Sequence, residues 1–290
     1  MTKKILVTGA AGLLGRQIVR QFSRGCSLRA TDREECDVTS LAAVRRVMRS
    51  YGPDLVLHCA AFTAVDRAET DREAAFLLNE TGTRNVARAC REQGVVLVAY
   101  GTDYVFDGTA GRPYREEDAP NPLSVYGESK LAAENALREE GPEWLLIRTQ
   151  WLFGPGGPDF VSAILRKADG EGAVRVVTDR VGCPTFAPDL AEATRRLLET
   201  GTRGILHFSN SDEVSIHEYA VFLLAESGRG GIRVEPVETA DLPPGVYPAP
   251  RPPYSALDKT KYAGITGSAP RSWRDALREY LRTFPGGQPS

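Results

Sequence analysis

Short runs of valine, isoleucine and leucine alternate with longer stretches of helical spacing through the first half of the chain. The apolar runs are Lys4–Thr8, Leu28–Thr31, Asp54–Cys59, Val95–Gly101 and Leu145–Thr149. Runs of this length suit strands covered on both faces, as in a parallel sheet. Between them, Leu13–Ser23, Leu41–Tyr51, Glu69–Gln93 and Val125–Glu139 place apolar side chains at helical intervals, and Gly94 stands where a helix C-terminal glycine belongs. The alternation predicts an α/β fold, a doubly wound parallel sheet of Rossmann type with right-handed crossovers.

Beyond Trp151 the pattern becomes irregular. Gly154-Pro-Gly-Gly-Pro158 and Gly182-Cys-Pro-Thr185 read as loops, Phe186–Thr200 as a helix with Pro188 in its first turn, and Ile205–Ser209 as a strand. Six prolines between Ala240 and Pro253 exclude a regular element there, and a last helix is expected over Ser272–Phe284, before a Pro285-Gly-Gly tail. With no repeats and no low-complexity linker, the second half reads as a smaller domain packed on the first.

Composition narrows the chemistry. Across 290 residues, 36 Lys plus Arg oppose 38 Asp plus Glu, a formal charge of −2 that lacks the basic excess of a nucleic-acid binder. The longest apolar stretches, such as Val95–Tyr100 and Tyr219–Ala225, are too short to span a bilayer. Five cysteines without CxxC spacing and three histidines, no two of which form a ligand pair, argue against a disulfide framework and a metal-led mechanism. A reducing, cytoplasmic setting is expected. Met1-Thr-Lys-Lys followed by Ile5–Gly15 imitates a short signal peptide, but three evenly spaced glycines leading into Arg16 mark it as structure.

Those glycines belong to Thr8-Gly9-Ala-Ala-Gly12-Leu-Leu-Gly15, between the first predicted strand and the first helix. A dinucleotide pyrophosphate requires a tight turn, a bare backbone and a helix N-terminus offering unpaired N–H groups, and this junction provides them through Gly9, Ala11, Gly12, Leu13, Leu14 and Gly15. Asp32 ends the second strand, placed to accept hydrogen bonds from the adenosine ribose, whereas Arg33 next to it suits a 2′-phosphate. NADH and NADPH both stay open as cofactor. Asp37 and Val38 are expected beneath the adenine, with Ala60, Ala61, Phe62 and Thr63 lining the same cleft and Tyr100 in the fourth strand beside it.

Tyr126 and Lys130 lie four apart on a predicted helix and so share a face. An ammonium near a phenol favours the phenolate, making the tyrosine a usable proton donor and acceptor near neutrality, and the lysine can also hold the nicotinamide ribose. Thr102 and Asp103 close the fourth strand, where open α/β sheets place ligand contacts, so the Thr102 hydroxyl is positioned to bond a reacting carbonyl. The basic residues are 30 Arg and only 6 Lys, which makes Lys130 at that spacing a less common accident.

Taken together, these segments resemble an extended short-chain dehydrogenase/reductase, over essentially the whole chain. Within that superfamily the chain is most similar to dTDP-4-dehydrorhamnose reductases. The resemblance is carried by Ala60-Ala-Phe-Thr-Ala-Val-Asp-Arg-Ala-Glu69, Thr102-Asp-Tyr-Val-Phe-Asp-Gly108 and Asn121-Pro-Leu-Ser-Val-Tyr-Gly127. Arg148-Thr-Gln-Trp-Leu-Phe-Gly154, Asp179-Arg-Val-Gly-Cys-Pro-Thr185 and Arg251-Pro-Pro-Tyr-Ser-Ala-Leu-Asp258 extend it into the second half. It implies an NAD(P)-binding domain over 1–153 with a returning stretch near 186–208, and a substrate-binding domain over 154–185 and 209–290. It implies NADH- or NADPH-dependent reduction of a 4-keto dTDP-sugar, with a proton from Tyr126, the carbonyl held by Thr102, and Lys130 on the ribose. Val65, Asp103 and Trp151 would join Thr102 and Tyr126 around the sugar.

Some family members bind magnesium across a dimer interface through a Glu where this chain has Gln17, so no metal is expected, while a homodimer stays compatible with the resemblance. Sugar-nucleotide dehydratases carry a Glu where Tyr104 stands. Another nucleotide-sugar reductase or an epimerase shares the catalytic pair. So does the non-catalytic regulatory subunit of methionine adenosyltransferase, which lacks the family tryptophan found here as Trp151.

Overall fold

The computed structural model describes residues 3–243 and 245–283, so the predicted helix end at Phe284 and the Pro285-Gly-Gly tail lie outside the described residues. The first half runs β1 (Lys4–Thr8), α1 (Leu13–Phe22), β2 (Ser27–Thr31), α2 (Leu41–Tyr51), β3 (Leu55–His58), α3 (Val65–Ala68), α4 (Arg72–Phe76), α5 (Gly82–Gln93), β4 (Val96–Thr102), α6 (Val125–Glu140) and β5 (Trp144–Thr149). The second half adds β6 (Leu152–Phe153), α7 (Phe160–Glu171), β7 (Ala173–Val177), β8 (Val181–Gly182), β9 (Thr185–Phe186), α8 (Ala187–Glu199) and β10 (Gly204–His207). It ends with β11 (Val214–Ser215), α9 (Ile216–Glu226), β12 (Arg233–Val237), α10 (Thr260–Thr266) and α11 (Trp273–Thr283).

The five predicted strands and the returning β10 form one parallel sheet in the order β10-β5-β4-β3-β1-β2. Alternation along β1 divides the apolar mass: Ile5 and Val7 face a core shared with α1 and α8, whereas Leu6 faces one shared with α2, α5 and α6. The strand order reverses between β1 and β3, and a crevice opens outside the carboxyl ends of strands at such a switch point. Thr8 pairs with His58 there, and Thr102 with Thr149 further along the same edge.

The helix predicted over Glu69–Gln93 is interrupted. It begins at Arg72, and a π turn over Leu77–Thr81 separates α4 from α5. The wider turn brings Asn79 inward, where its amide accepts from Phe62 N at 2.8 Å and donates to Phe62 O at 3.1 Å and Ser129 Oγ at 2.9 Å. Such turns recur at functional sites, and this one ties the end of β3 to α6.

The second half holds more regular structure than its sequence pattern shows. Two of its unforeseen helices, α7 and α9, join α11 around a separate core of Phe153, Val161, Tyr219, Leu223 and Trp273. Gly182–Thr185, read as a loop, has its ends in β8 and β9. Two-residue strands carry no readable period, which is why they escaped.

Candidate active site

Each glycine of the first turn has a different neighbour. A Cβ on Gly9 (φ +68°) would lie 2.5 Å from Ala60 N, and one on Gly15 would lie 2.1 Å from the Gly9 carbonyl, so the protein's own packing excludes side chains there. A Cβ on Gly12 would meet nothing nearer than 3.4 Å. Gly12 nevertheless caps α1 without a side-chain hydrogen bond and lines two adjoining cavities. The N–H groups of the first helical turn thus face open space, the arrangement that receives an anion.

One cavity, about 400 Å³, is lined by Gly9, Gly12, Asp32, Asp37 and Val38, with Ala60, Ala61 and Phe62 opposite. The other, also about 400 Å³, collects Leu13, Leu14, Gly15, Thr63 and Val65 along one wall. Tyr100, Thr102, Asp103, Tyr126, Lys130 and Trp151 line it as well. Gly12, Cys59 and Ala61 belong to both, so the two make one cleft over the carboxyl ends of β1, β3 and β4. Among the residues singled out in the sequence, Ala11 lines neither cavity. Its N–H donates to both Asp32 carboxylate oxygens, at 3.1 and 3.0 Å, making Asp32 a brace for the turn as well as a cleft residue.

The Tyr126–Lys130 pair sits on the buried face of α6, whose N-terminus is capped by Ser124 Oγ accepting from Gly127 N at 3.1 Å. The expected depression of the Tyr126 phenol by Lys130 is not the balance found. Burial dominates and pushes the phenol well above its ordinary range, while the Thr102 hydroxyl works in the other direction. Lys130 Nζ donates to the Tyr100 carbonyl at 2.8 Å, and burial brings its ammonium down to about 8. Asp103, 1% exposed, is pushed up to about 7 by burial, although its carboxylate accepts from Ser255 Oγ at 2.6 Å and Thr102 Oγ1 at 3.2 Å. Tyr104 meets Tyr126 edge-on at 5.5 Å, and burial raises its phenol to about 12.

Trp151 adopts φ +43°, a left-handed conformation that costs a bulky residue strain and is tolerated where the surroundings enforce it. Its ring has space only because residue 182 is glycine: a Cβ there would stand 2.9 Å from two ring carbons and 2.7 Å from Gln150 Oε1. Trp151 and Tyr104 also line a third cavity of about 240 Å³ that opens beyond the cleft. There the guanidinium groups of Arg180 and Arg251 each lie against the Tyr247 ring, 4.4 and 4.5 Å from its centre. Arg251 is anchored by a bidentate pair with Asp66, at 2.9 and 2.7 Å. The sequence reading gave no role to Arg180, Tyr247, Arg251 or Ser255. Arginines beside Gly182-Cys-Pro and before Pro252-Pro253 were the available signal, but only the fold brings them together.

Gln17 Nε2 donates to the Pro155 carbonyl at 2.7 Å, which commits that side chain to the loop after β6. Among the described residues no helix is long and apolar enough to cross a membrane.

A family model described as the RmlD substrate binding domain matches residues 3–285. A dTDP-4-dehydrorhamnose reductase of Mycobacterium tuberculosis (strain H37Rv) is 42% identical over 288 residues, covering 97% of this chain and 93% of that protein. One of Streptomyces griseus is 40% identical over 287 residues, covering 97% and 92%. The crystal structure of a Bacillus anthracis dTDP-4-dehydrorhamnose reductase in complex with NADP superimposes with a TM-score of 0.93 at 32% identity, covering 98% of this chain and all of that one.

Proposed function

Because this chain belongs to the dTDP-4-dehydrorhamnose reductase family, we propose that it reduces dTDP-4-dehydro-L-rhamnose to dTDP-L-rhamnose with NADPH or NADH. The observation that carries the reading is one cleft holding both a helix N-terminus kept bare at Gly12 and the hydroxyls of Thr102 and Tyr126. The bound coenzyme supplies the hydride; the protein supplies binding, orientation and the proton. Gly9 to Gly15 receive the pyrophosphate, Asp37, Val38 and Phe62 enclose the adenine, and Lys130 holds the nicotinamide ribose.

Tyr126 rests as the neutral phenol because burial disfavours the phenolate. That is the form a reductase needs, since the oxygen of the reduced carbonyl is far more basic than a phenolate and takes the Tyr126 proton. Thr102 turns its hydroxyl from Asp103 to donate a hydrogen bond to the same oxygen and orients the carbonyl. The Lys130 ammonium stabilises the phenolate left behind. Trp151 packs on the sugar, with Val65 and Asp103 beside it, and the paired charges of Arg180 and Arg251 suit the diphosphate. The halves divide accordingly: 1–153 with 186–208 carry the coenzyme, and 154–185 with 209–290 carry the sugar nucleotide.

Tyr104 argues against the dehydratase alternative, because a phenol that burial holds protonated, near 12, supplies no base for an elimination at neutral pH, where the carboxylate of those enzymes would. The test is loss of nicotinamide absorbance when the protein meets dTDP-4-keto-L-rhamnose and either coenzyme. If neither coenzyme is consumed, the reductase reading fails.

A further inference from the structure

The mechanism leaves one buried charge cluster unused. Glu134 follows Lys130 by one turn of α6, so the two share a face. Its carboxylate accepts from Arg148 Nε at 2.9 Å and Nη2 at 2.7 Å, and both side chains are 1% exposed. Arg148 also lies over the Phe106 ring, 5.1 Å from its centre. The pair rests directly on β4: a Cβ on Gly101 would stand 2.8 Å from Arg148 Cγ and 3.1 Å from Glu134 Oε1. A buried ion pair adds little net stability over hydrophobic packing of the same volume, so its presence behind the catalytic helix asks for another explanation.

The explanation lies in a small cavity of about 30 Å³ that both Lys130 and Glu134 line, together with His58, Cys59 and Thr83. A space of that size holds a single water, and both side chains border it. The other titratable groups packed around Lys130 supply no second anion to this cavity. On β3, burial keeps His58 neutral, down to about 3, and just beyond it the Cys59 thiol is pushed well up. On β4, the Tyr100 phenol pairs with Thr194 Oγ1 at 3.2 Å, and Asp103 lies at the far end beside Thr102. Tyr126 on α6 is held protonated, while Arg148 on β5 and Arg138 on α6, the latter 3.8 Å from Glu134 Oε2, are cations. Among the described residues, Glu134 is the one carboxylate lining the cavity.

We propose that Glu134 is a positioning residue that supplies the counter-charge to the Lys130 ammonium. This rests on the reductase reading, in which that ammonium holds the ribose and answers the phenolate. Burial alone drives the lysine toward its neutral form, and the carboxylate works against it.

The test follows coenzyme binding by fluorescence across pH 6–10, with the pH profile of kcat/KM alongside. In the wild type, NADPH affinity is expected to fall as Lys130 deprotonates near pH 8. Glu134→Gln is expected to move that alkaline limb down by about one pH unit, a loss of ammonium of about fivefold at pH 8 and about tenfold at pH 9. Glu134→Asp restores most of it. Arg148→Gln removes a cation and keeps the carboxylate, so its limb does not move down. A merely structural pair predicts the same loss in both variants at every pH. An unmoved limb in Glu134→Gln, or a downward move in Arg148→Gln, overturns the proposal. If Glu134→Gln does not fold, Arg148→Gln still decides. Coenzyme binding is measured without the sugar, so a wild type that fails to turn over overturns the reductase reading separately.

Discussion

Asp103→Asn is expected to make this protein more stable relative to the wild type as pH rises. In the unfolded chain the carboxyl titrates near its ordinary value of about 3.9. In the folded chain burial holds it at about 7. Between those values the native state carries a proton that the unfolded state has released. The contribution of this group is therefore fully present below about pH 4 and is lost as pH rises through 7. The separation of about three units corresponds to ~4 kcal/mol at most, at 1.36 kcal/mol per unit.

Asparagine cannot ionise, yet its amide oxygen can still accept the Ser255 hydroxyl that lies 2.6 Å from Asp103 Oδ2. The stability difference between variant and wild type should thus be flat below pH 4 and climb by ~2–4 kcal/mol toward pH 8. Urea unfolding of both proteins at pH 4.5, 6, 7 and 8 measures it, compared at equal m-values. A difference that stays constant across that range refutes the reasoning, because no lost hydrogen bond or packing change alone has this pH signature.

Gly12→Ala should fold normally, since its new Cβ would meet only the Gly9 carbonyl at 3.4 Å, yet bind NADPH at least tenfold more weakly; unchanged affinity in a coenzyme titration would remove the pyrophosphate from that turn. Gly182→Ala drives a methyl into Gln150 and the Trp151 ring, so ~1–3 kcal/mol of stability is lost and KM for the sugar rises while coenzyme affinity holds; steady-state kinetics with an unaltered KM would count against Trp151 as a sugar contact. Tyr126→Phe should lower kcat by 10²-fold or more, with coenzyme binding retained. Asp32→Ala frees the Ala11 N–H and loosens the glycine turn, so affinity for NADH and NADPH should fall together; a loss confined to NADH would leave Asp32 with the ribose role alone.

The sheet and its cleft were legible because they depend on local sequence. Each of the first four strands is a short apolar run followed by a helix, and the cleft lies where the chain passes from one to the other. The outer subsite was not legible because its contacts span the chain. Asp66 meets Arg251 across 185 positions, and Asp103 meets Ser255 across 152. No spacing rule links residues so far apart, and the strands that fold them together are two residues long. The Tyr126–Lys130 pair shows a third kind of gap: its position was readable, but its electrostatics depend on burial, which overrides the neighbouring charge.

The first turn carries the same lesson at single-residue scale. Gly9, Gly12 and Gly15 stand at equal intervals and are indistinguishable in sequence. Gly9 and Gly15 are demanded by the chain itself, because Ala60 and the Gly9 carbonyl already occupy the volume a side chain would need. Nothing in the protein makes that demand of Gly12, whose φ of −67° any residue can adopt. A bare position with room for a methyl group, at the mouth of an uncapped helix and in the wall of both cavities, is shaped by what passes over it rather than by what lies beneath. The glycine that packing does not explain is therefore the one that speaks most directly for a bound phosphate.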